Sequence, residues 1–504
     1  MMRLVKIIFL SGLIASFASN RAVANTESWS KMALEDLATI KSELQANHPG
    51  AIDPENPSFA EWLDRGYLEA SKLARSADSF GGYYFSLRRY ADGFNDSHLN
   101  VNLFTKFANY ENLWPGFTVI LQNNNFIVAD LSDRSDLDLN LFNNKLPQPG
   151  DRLIACDRKS ARTIFETNIL PFYGIDGLIA SERISTPRLM FDEGNPFIKM
   201  PSRCTFEDKL GRYNLNLNWQ AISSEQKEEI IYSVVRGNPP EICFREVKPG
   251  FFWITLSSFA GQDMEKLEEV IKTASENKNK LQKSDIIVFD MRGNDGGVAG
   301  FGRNLLNAIW GEDFTDRLPG GDADAVEYRP SRDNLAVWKQ RRSEWVKELG
   351  ENHEIIKYAD EIISGLEQAL KNGDTFYHIP GDSLSKEKAI PPDEVIPKIY
   401  LLSDGACKSA CLDFADWVLS IPNAELIGAE TNADTQYIEN RAADLPSQKG
   451  YLWFSMKVWR GRVRGVNQPY QPTHQWQGKN WHTEDLENWV LELYQKDRPT
   501  NELF

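Results

Sequence analysis

The chain has 504 residues, with 72 acidic against 56 basic side chains and a formal charge of −16. Such a balance repels phosphate backbones and argues against a nucleic-acid role. The length exceeds one comfortable core and implies two or three domains, which a hydrophobic content of 41% is enough to build.

Arg3 and Lys6 give a short basic start, an apolar run follows from Ile7 to Ala18, and Ala22-Val23-Ala24 forms an A-x-A cleavage signal before Asn25. This is the layout of a secretory signal peptide. An amphipathic start or an uncleaved anchor is the plainer reading, but the run is shorter than the roughly 20 residues that span a bilayer. The expectation is an exported protein with a leader at 1–24, periplasmic in a Gram-negative source and without stable membrane insertion. The five cysteines, Cys156, Cys204, Cys243, Cys407 and Cys411, lack paired C-x-x-C metal spacing. In an oxidising compartment they allow one or two disulfides and leave at least one thiol. No metal and no cofactor is expected.

From Ser28 to Tyr90 the pattern is helical: Met32, Leu34, Leu37, Ile40 and Leu44 recur at helix spacing, and Phe59–Leu73 and Tyr83–Tyr90 follow. Asn95-Asp96-Ser97-His98 then leads into the alternating strand Leu99–Leu103. The runs Phe117–Leu121 and Phe126–Leu131, then Pro149-Gly150-Asp151 before an apolar strand and the short helix at Ala161–Ile164, look like a PDZ-type peptide-binding module; a generic β-module is the alternative. Residues 174–222 are mixed and lean towards β.

The second half alternates strand and helix. Strands are expected at Phe251–Leu256, Asp285–Asp290, Ile399–Leu402 and Leu426–Gly428, and helices at Met264–Ala274, Phe301–Trp310 and Ser409–Leu419. This is the signature of an α/β fold with a buried, parallel-rich sheet. A charged helical insertion, with helices over Asp333–Glu348 and His353–Lys371, reads as a cap or an oligomer contact. The tail helix Thr483–Tyr494 carries an apolar face of Leu486, Trp489, Val490 and Leu493. The divisions are an N-terminal helical domain at 25–112, the β-module at 113–172, a mixed connection at 173–245, an α/β core at 246–312 and 393–482, the insertion at 313–392 and the C-terminal helix at 483–504.

Three places carry chemistry. Asp290-Met291-Arg292-Gly293-Asn294-Asp295-Gly296-Gly297 joins a strand to a helix, and its glycines permit positive φ and close backbone approach. Its amides could serve as half of an oxyanion hole, or the segment is a structural turn; neither phosphate-loop spacing is present. Ser409 stands where a strand-turn gives way to an amphipathic helix, beside the amide of Ala410. The plainer reading is an N-cap, which serine favours. His98, preceded by Ser97, is the third: histidine is the usual base for a serine nucleophile, though a lone histidine is more often structural.

Together these segments resemble the C-terminal-processing proteases, with their D-x-R-x-N-x-G-G turn and S-A-S-E helix start; Phe252–Phe259 is similar to the strand opening that core. The resemblance implies a crotonase/ClpP-like α/β core, Ser409 as nucleophile and an oxyanion hole from Ala410 with Gly296 or Gly297. The processing branch uses a lysine base, but Asp434 occupies the corresponding place here. Ser97-His98 matches the pair of the tricorn-like branch instead, implying His98 as base and Ser97 as its orienting hydroxyl. That branch also has a distal glutamate, where this chain has Gln468. The expected activity is serine-type hydrolysis of peptides or unfolded proteins. The rival readings are a non-catalytic binding protein on the same fold and an esterase.

Overall fold

A computed structural model of the chain describes residues 28–104, 111–131, 146–175, 178–236, 239–318, 324–381, 390, 395–478 and 481–497. The expected leader at 1–24 lies outside them. Among the described residues no helix is long and apolar enough to cross a membrane. They form two compact units. The first takes the described residues of Met1–Val235, Asp324–Gly381 and Thr435–Gly461, and the second those of Arg236–Ala323, Asp382–Asp434 and Arg462–Phe504.

The second unit is built on one sheet, in the order Cys243–Lys248, Phe251–Thr255, Ile286–Asp290, Lys398–Ser403, Ala424–Gly428 and His474–Gln475. The first pair is antiparallel and each later pair parallel. Phe251–Thr255 and Ile286–Asp290 are buried at every position, as a parallel sheet covered on both faces requires. Alternate side chains feed two cores. Phe252, Ile254, Ile287, Phe289, Ile399 and Leu401 pack with the helices Met264–Glu276, Gly300–Trp310 and Ala410–Leu419. Phe251, Trp253, Val288, Tyr400 and Leu402 pack against Leu486, Val490 and Leu493 of the tail helix Thr483–Asp497. The result is a helix–sheet–helix sandwich whose parallel strands end level: Asp290 lies opposite Leu402, and Ser403 opposite Gly428.

The first unit begins with the helices Trp29–Asn47, Pro57–Ala74 and Phe80–Asp92. Serines cap two of them: Ser28 accepts from the Lys31 amide and Ser79 from the Gly82 amide. Their apolar faces close over Tyr437, Leu452, Phe454 and Val458 of a long hairpin, Tyr437–Asp444 with Gly450–Arg460. The hairpin's strand Gly450–Arg460 pairs at one end with Asn100–Leu103 and at the other with Ala325–Tyr328, all antiparallel. The two insertion helices, Arg332–Leu349 and Glu354–Asn372, are therefore no loose appendage, because the strands flanking them, Ala325–Tyr328 and Tyr377–Pro380, extend this sheet. Hairpin, flanking strands and the helix Ser224–Arg236 went unread in the sequence.

A second antiparallel sheet in this unit runs Val119–Gln122, Asn125–Val128, Arg152–Cys156, Arg203–Asp208 and Gly211–Asn216. A disulfide joins the directly opposed Cys156 and Cys204, 48 positions apart. Closing a loop of that length restricts the unfolded chain by about 4 kcal/mol on the chain-entropy account. The double variant Cys156→Ser/Cys204→Ser should therefore lose about 2–4 kcal/mol of stability, read as a lowered denaturant midpoint. An unchanged midpoint would show that strand pairing alone holds this sheet.

Candidate active site

In the second unit the ends of Ile286–Asp290 and Lys398–Ser403 release two turns side by side. The first turn is fixed from below by a buried ion pair. Arg292 donates to Asp290 through Nε at 2.8 Å and Nη2 at 2.5 Å, while Trp253 Nε1 donates to the same carboxylate at 3.0 Å. Arg292 also reaches the Trp481 carbonyl and, at 2.9 Å, Thr483 Oγ1. With its lone pairs so filled, a buried carboxylate is tolerable.

The upper part of the turn is held by Asn294, whose Nδ2 donates to the Leu256 carbonyl at 2.7 Å and whose Oδ1 accepts the Gly296 amide at 2.9 Å. The Gly296 carbonyl accepts from Phe259, and the Phe259 carbonyl from Val298. These bonds leave the Gly297 amide without an acceptor among the described residues. Gly296 and Gly297 have φ of +103° and +134°, angles that favour glycine. Space demands glycine too. A Cβ on Gly296 would lie 2.9 Å from Ser409 Cβ and 3.2 Å from the Ala410 amide nitrogen, and one on Gly297 would lie 2.1 Å from the Phe259 carbonyl oxygen.

The second turn is tied to the first through Asp404, whose Oδ2 accepts the Gly293 amide at 2.9 Å and whose Oδ1 accepts that of Ala406 at 3.0 Å. It ends on Ser409, with φ 54° and ψ −129°, conformation that a non-glycine residue adopts at a cost of about 1–3 kcal/mol. The Ser409 side chain makes no capping hydrogen bond to the helix Ala410–Leu419, so the N-cap reading fails. The Ala410 amide has no acceptor among the described residues. A disulfide between Cys407 and Cys411 brackets the serine, and Cys243 is left as a free thiol.

Two positions set against the resemblance are also placed in this unit. Asp434, standing where the processing branch has lysine, is buried in ion pairs with Arg462 at 2.9 Å and Arg464 at 3.2 Å. Arg464 further pairs with Asp416 at 2.5 Å. Gln468 is an exposed amide on the turn beyond them.

His98 and Ser97 belong to the first unit. They close a turn between the helix Phe80–Asp92 and the strand Asn100–Leu103. Ser97 engages Asn100 Nδ2 through its carbonyl at 3.1 Å. Asp96 Oδ1 lies 4.0 Å from His98 Nδ1, an ion-pair distance rather than a hydrogen bond. The same oxygen accepts the His98 amide at 3.0 Å and Thr435 Oγ1 at 2.8 Å. Its partner oxygen lies 3.6 Å from Nε2 of the fully buried His48. Burial pushes the Asp96 carboxyl up, but the neighbouring His48 and His98 rings and the His98 amide outweigh it and hold the group below its ordinary range. Burial holds His48 below its ordinary value despite Asp96. Reasoning from sequence named Ser97 beside His98 and did not single out Asp96. The available signal was an Asp two residues before a His, the spacing of an Asx turn.

No family model matches the chain, and no curated protein sequence does. Solved structures do. Mature CPAF superposes with a TM-score of 0.61 at 15% identity, over 94% of this chain and 99% of that one. CPAF complexed with lactacystin gives 0.58 at 16%, over 93% and 100%, and a serine-to-alanine mutant of CPAF gives 0.58 at 14%, over 94% and 99%. The chain is thus similar to CPAF in fold along almost its whole length.

Proposed function

We propose that this chain is an exported serine-type peptidase that cleaves peptide bonds through an acyl-enzyme, with Ser409 as nucleophile, His98 as base and the amides of Gly297 and Ala410 as oxyanion hole. The observation that carries the reading is the state of the Ser409 turn: a strained serine whose hydroxyl leaves its helix uncapped, next to two amides without acceptors among the described residues. Donors fixed in advance where negative charge will develop are what acyl transfer needs. Of the two glycine amides first considered, that of Gly296 is engaged by Asn294, which favours Gly297. The fold is shared with CPAF, one structure of which holds lactacystin. Two disulfides and the leader pattern at 1–24 support export to an oxidising compartment. We read the core as crotonase/ClpP-like and the module at 113–172 as PDZ-like on the same grounds of resemblance.

The chemistry runs in two halves. His98 takes the Ser409 proton as Oγ bonds to the scissile carbonyl carbon, and the carbonyl π electrons move to the oxygen, held by the two amides. The tetrahedral species collapses, the C–N bond breaks and the imidazolium protonates the leaving amine. Water then gives its proton to His98, attacks the ester and releases the acid with Ser409 restored. Proton transfer requires the ring and the hydroxyl to meet, which makes the pair testable as a unit.

Ser409→Ala should abolish labelling by a fluorescent fluorophosphonate and reduce hydrolysis of dye-labelled denatured casein by at least about 10³-fold, with an unchanged melting temperature. His98→Ala should lose a comparable factor. A folded wild-type protein that neither labels nor cleaves casein would favour the binding-protein reading; labelling without casein cleavage but with turnover of aryl esters would favour the esterase. Gly296→Ala, whose methyl presses on Ser409 Cβ, should slow labelling about 10–100-fold while the circular dichroism stays native. A wild-type labelling rate in that variant would remove the close approach from the argument.

A further inference from the structure

We propose that Asp96 is the positioning carboxylate of this enzyme, orienting His98 in place of the distal acid absent at Gln468. The inference rests on His98 being the base. Asp96 is almost fully buried on the turn that carries His98, and three separate elements converge on it. Its own turn contributes the His98 amide, the segment before Tyr437–Asp444 contributes the Thr435 hydroxyl from 339 positions away, and the end of the first helix contributes His48. His48 Nδ1 accepts the Gly50 amide at 2.9 Å, so a neutral His48 carries its proton on Nε2, the nitrogen facing Asp96. Its ring is stacked on Phe59 with centroids 4.4 Å apart and is not free to turn.

The hydrogen bonds Asp96 accepts from these elements are neutral, an amide and a hydroxyl, and the imidazole 3.6 Å away is held towards its neutral form by burial. A buried carboxylate surrounded by neutral dipoles lacks a counter-charge, and the group nearest to supplying one is His98, whose Nδ1 faces Oδ1. With Nδ1–H held towards Asp96, the lone pair lies on Nε2, the opposite edge of the ring, ready to take a proton. When it does, the imidazolium forms beside a charge already in place. The carboxylate gains nothing comparable in the resting state, so the interaction is strongest in the transition state and acts on rate rather than on binding. Gln468, an exposed neutral amide, offers no such charge.

Asp96→Asn keeps an acceptor for Thr435 and the His98 amide but removes the charge. In saturating kinetics with the fluorophosphonate, its maximal labelling rate should fall by about 10²–10⁴-fold, with the half-saturating probe concentration within about threefold of wild type. Thr435→Val, which releases Asp96 without touching the ring, should lower the maximal rate about tenfold, and Thr435→Ser, which returns the hydroxyl, should restore most of it. A merely structural Asp96 would lower the folded fraction and leave the rate per folded molecule intact, and that result overturns the proposal. Should Asp96→Asn fail to fold, the two Thr435 variants decide: equal rates overturn it. Wild-type kinetics in Asp96→Asn, with Ser409→Ala and His98→Ala both inert, would remove Asp96 and leave the peptidase reading standing. Activity surviving in His98→Ala would remove the base itself.

Discussion

The second unit is organised around one close approach, that of the Gly296 backbone to the backbone of Lys408–Ala410. A methyl group on Gly296 would sit 2.8 Å from the Lys408 carbonyl oxygen, so two turns meet there only because one of them has no side chain. The rest of the unit serves that meeting. Level parallel strands deliver both turns to one edge of the sheet, the edge where ligands of open α/β sheets bind. Asp404 bonds the turns to each other, and the Asp290–Arg292 pair pins the first to the start of the tail helix. A parallel sheet with apolar cores on both faces makes these polar groups expensive to leave unmatched, and each is matched.

The first unit solves a different problem: it holds a polar loop rigid with long-range partners. Asp53 accepts from Gln436 Nε2 at 3.0 Å, Tyr437 OH at 2.9 Å and Arg460 Nη1 at 2.8 Å. Asp96 accepts from Thr435. Both carboxylates belong to the helical N-terminal segment, and all four donors lie on or beside the hairpin Tyr437–Arg460. Neither partner could be buried alone at tolerable cost, so helices and hairpin order each other. The His98 turn takes its rigidity from this mutual satisfaction rather than from local propensity.

That difference explains what the sequence disclosed. Strands such as Ile286–Asp290 are runs of apolar residues buried on both faces, and the amphipathic helices Ala410–Leu419 and Thr483–Asp497 present their cores at regular spacing; these patterns are local and were read. The D-M-R-G-N-D-G-G turn was read too, because glycine is the residue that positive φ and close approach require. The hairpin Tyr437–Asp444 with Gly450–Arg460 was not, since Glu439, Asn440 and Arg441 break its alternation with polar groups, two of which find partners on distant elements: Glu439 on Arg341 and Arg441 on Glu43. Asp96 was overlooked for the same reason, its significance resting on Thr435 and His48. Which glycine amide is left open depends on the Asn294 side chain, and no spacing rule expresses that.

Ser409 shows how a single backbone angle couples two features. Ser28, Ser79, Ser160 and Ser331 each precede a helix, each at negative φ, and each accepts a hydrogen bond from an amide of the first turn. A serine in that conformation stabilises its helix by about 1 kcal/mol and keeps its oxygen occupied there. At φ 54° Ser409 forgoes the cap. The first amide, that of Ala410, keeps no acceptor among the described residues. A serine that does not cap its helix and a first-turn amide without an acceptor among the described residues, at the positive end of the helix dipole, are one and the same conformational event. Strain of this kind persists only where the surroundings over-determine it, and two constraints converge here: the Cys407–Cys411 bridge closes a ring across the serine, and the Gly296 backbone is packed against Lys408–Ala410 so closely that a methyl group there would not fit.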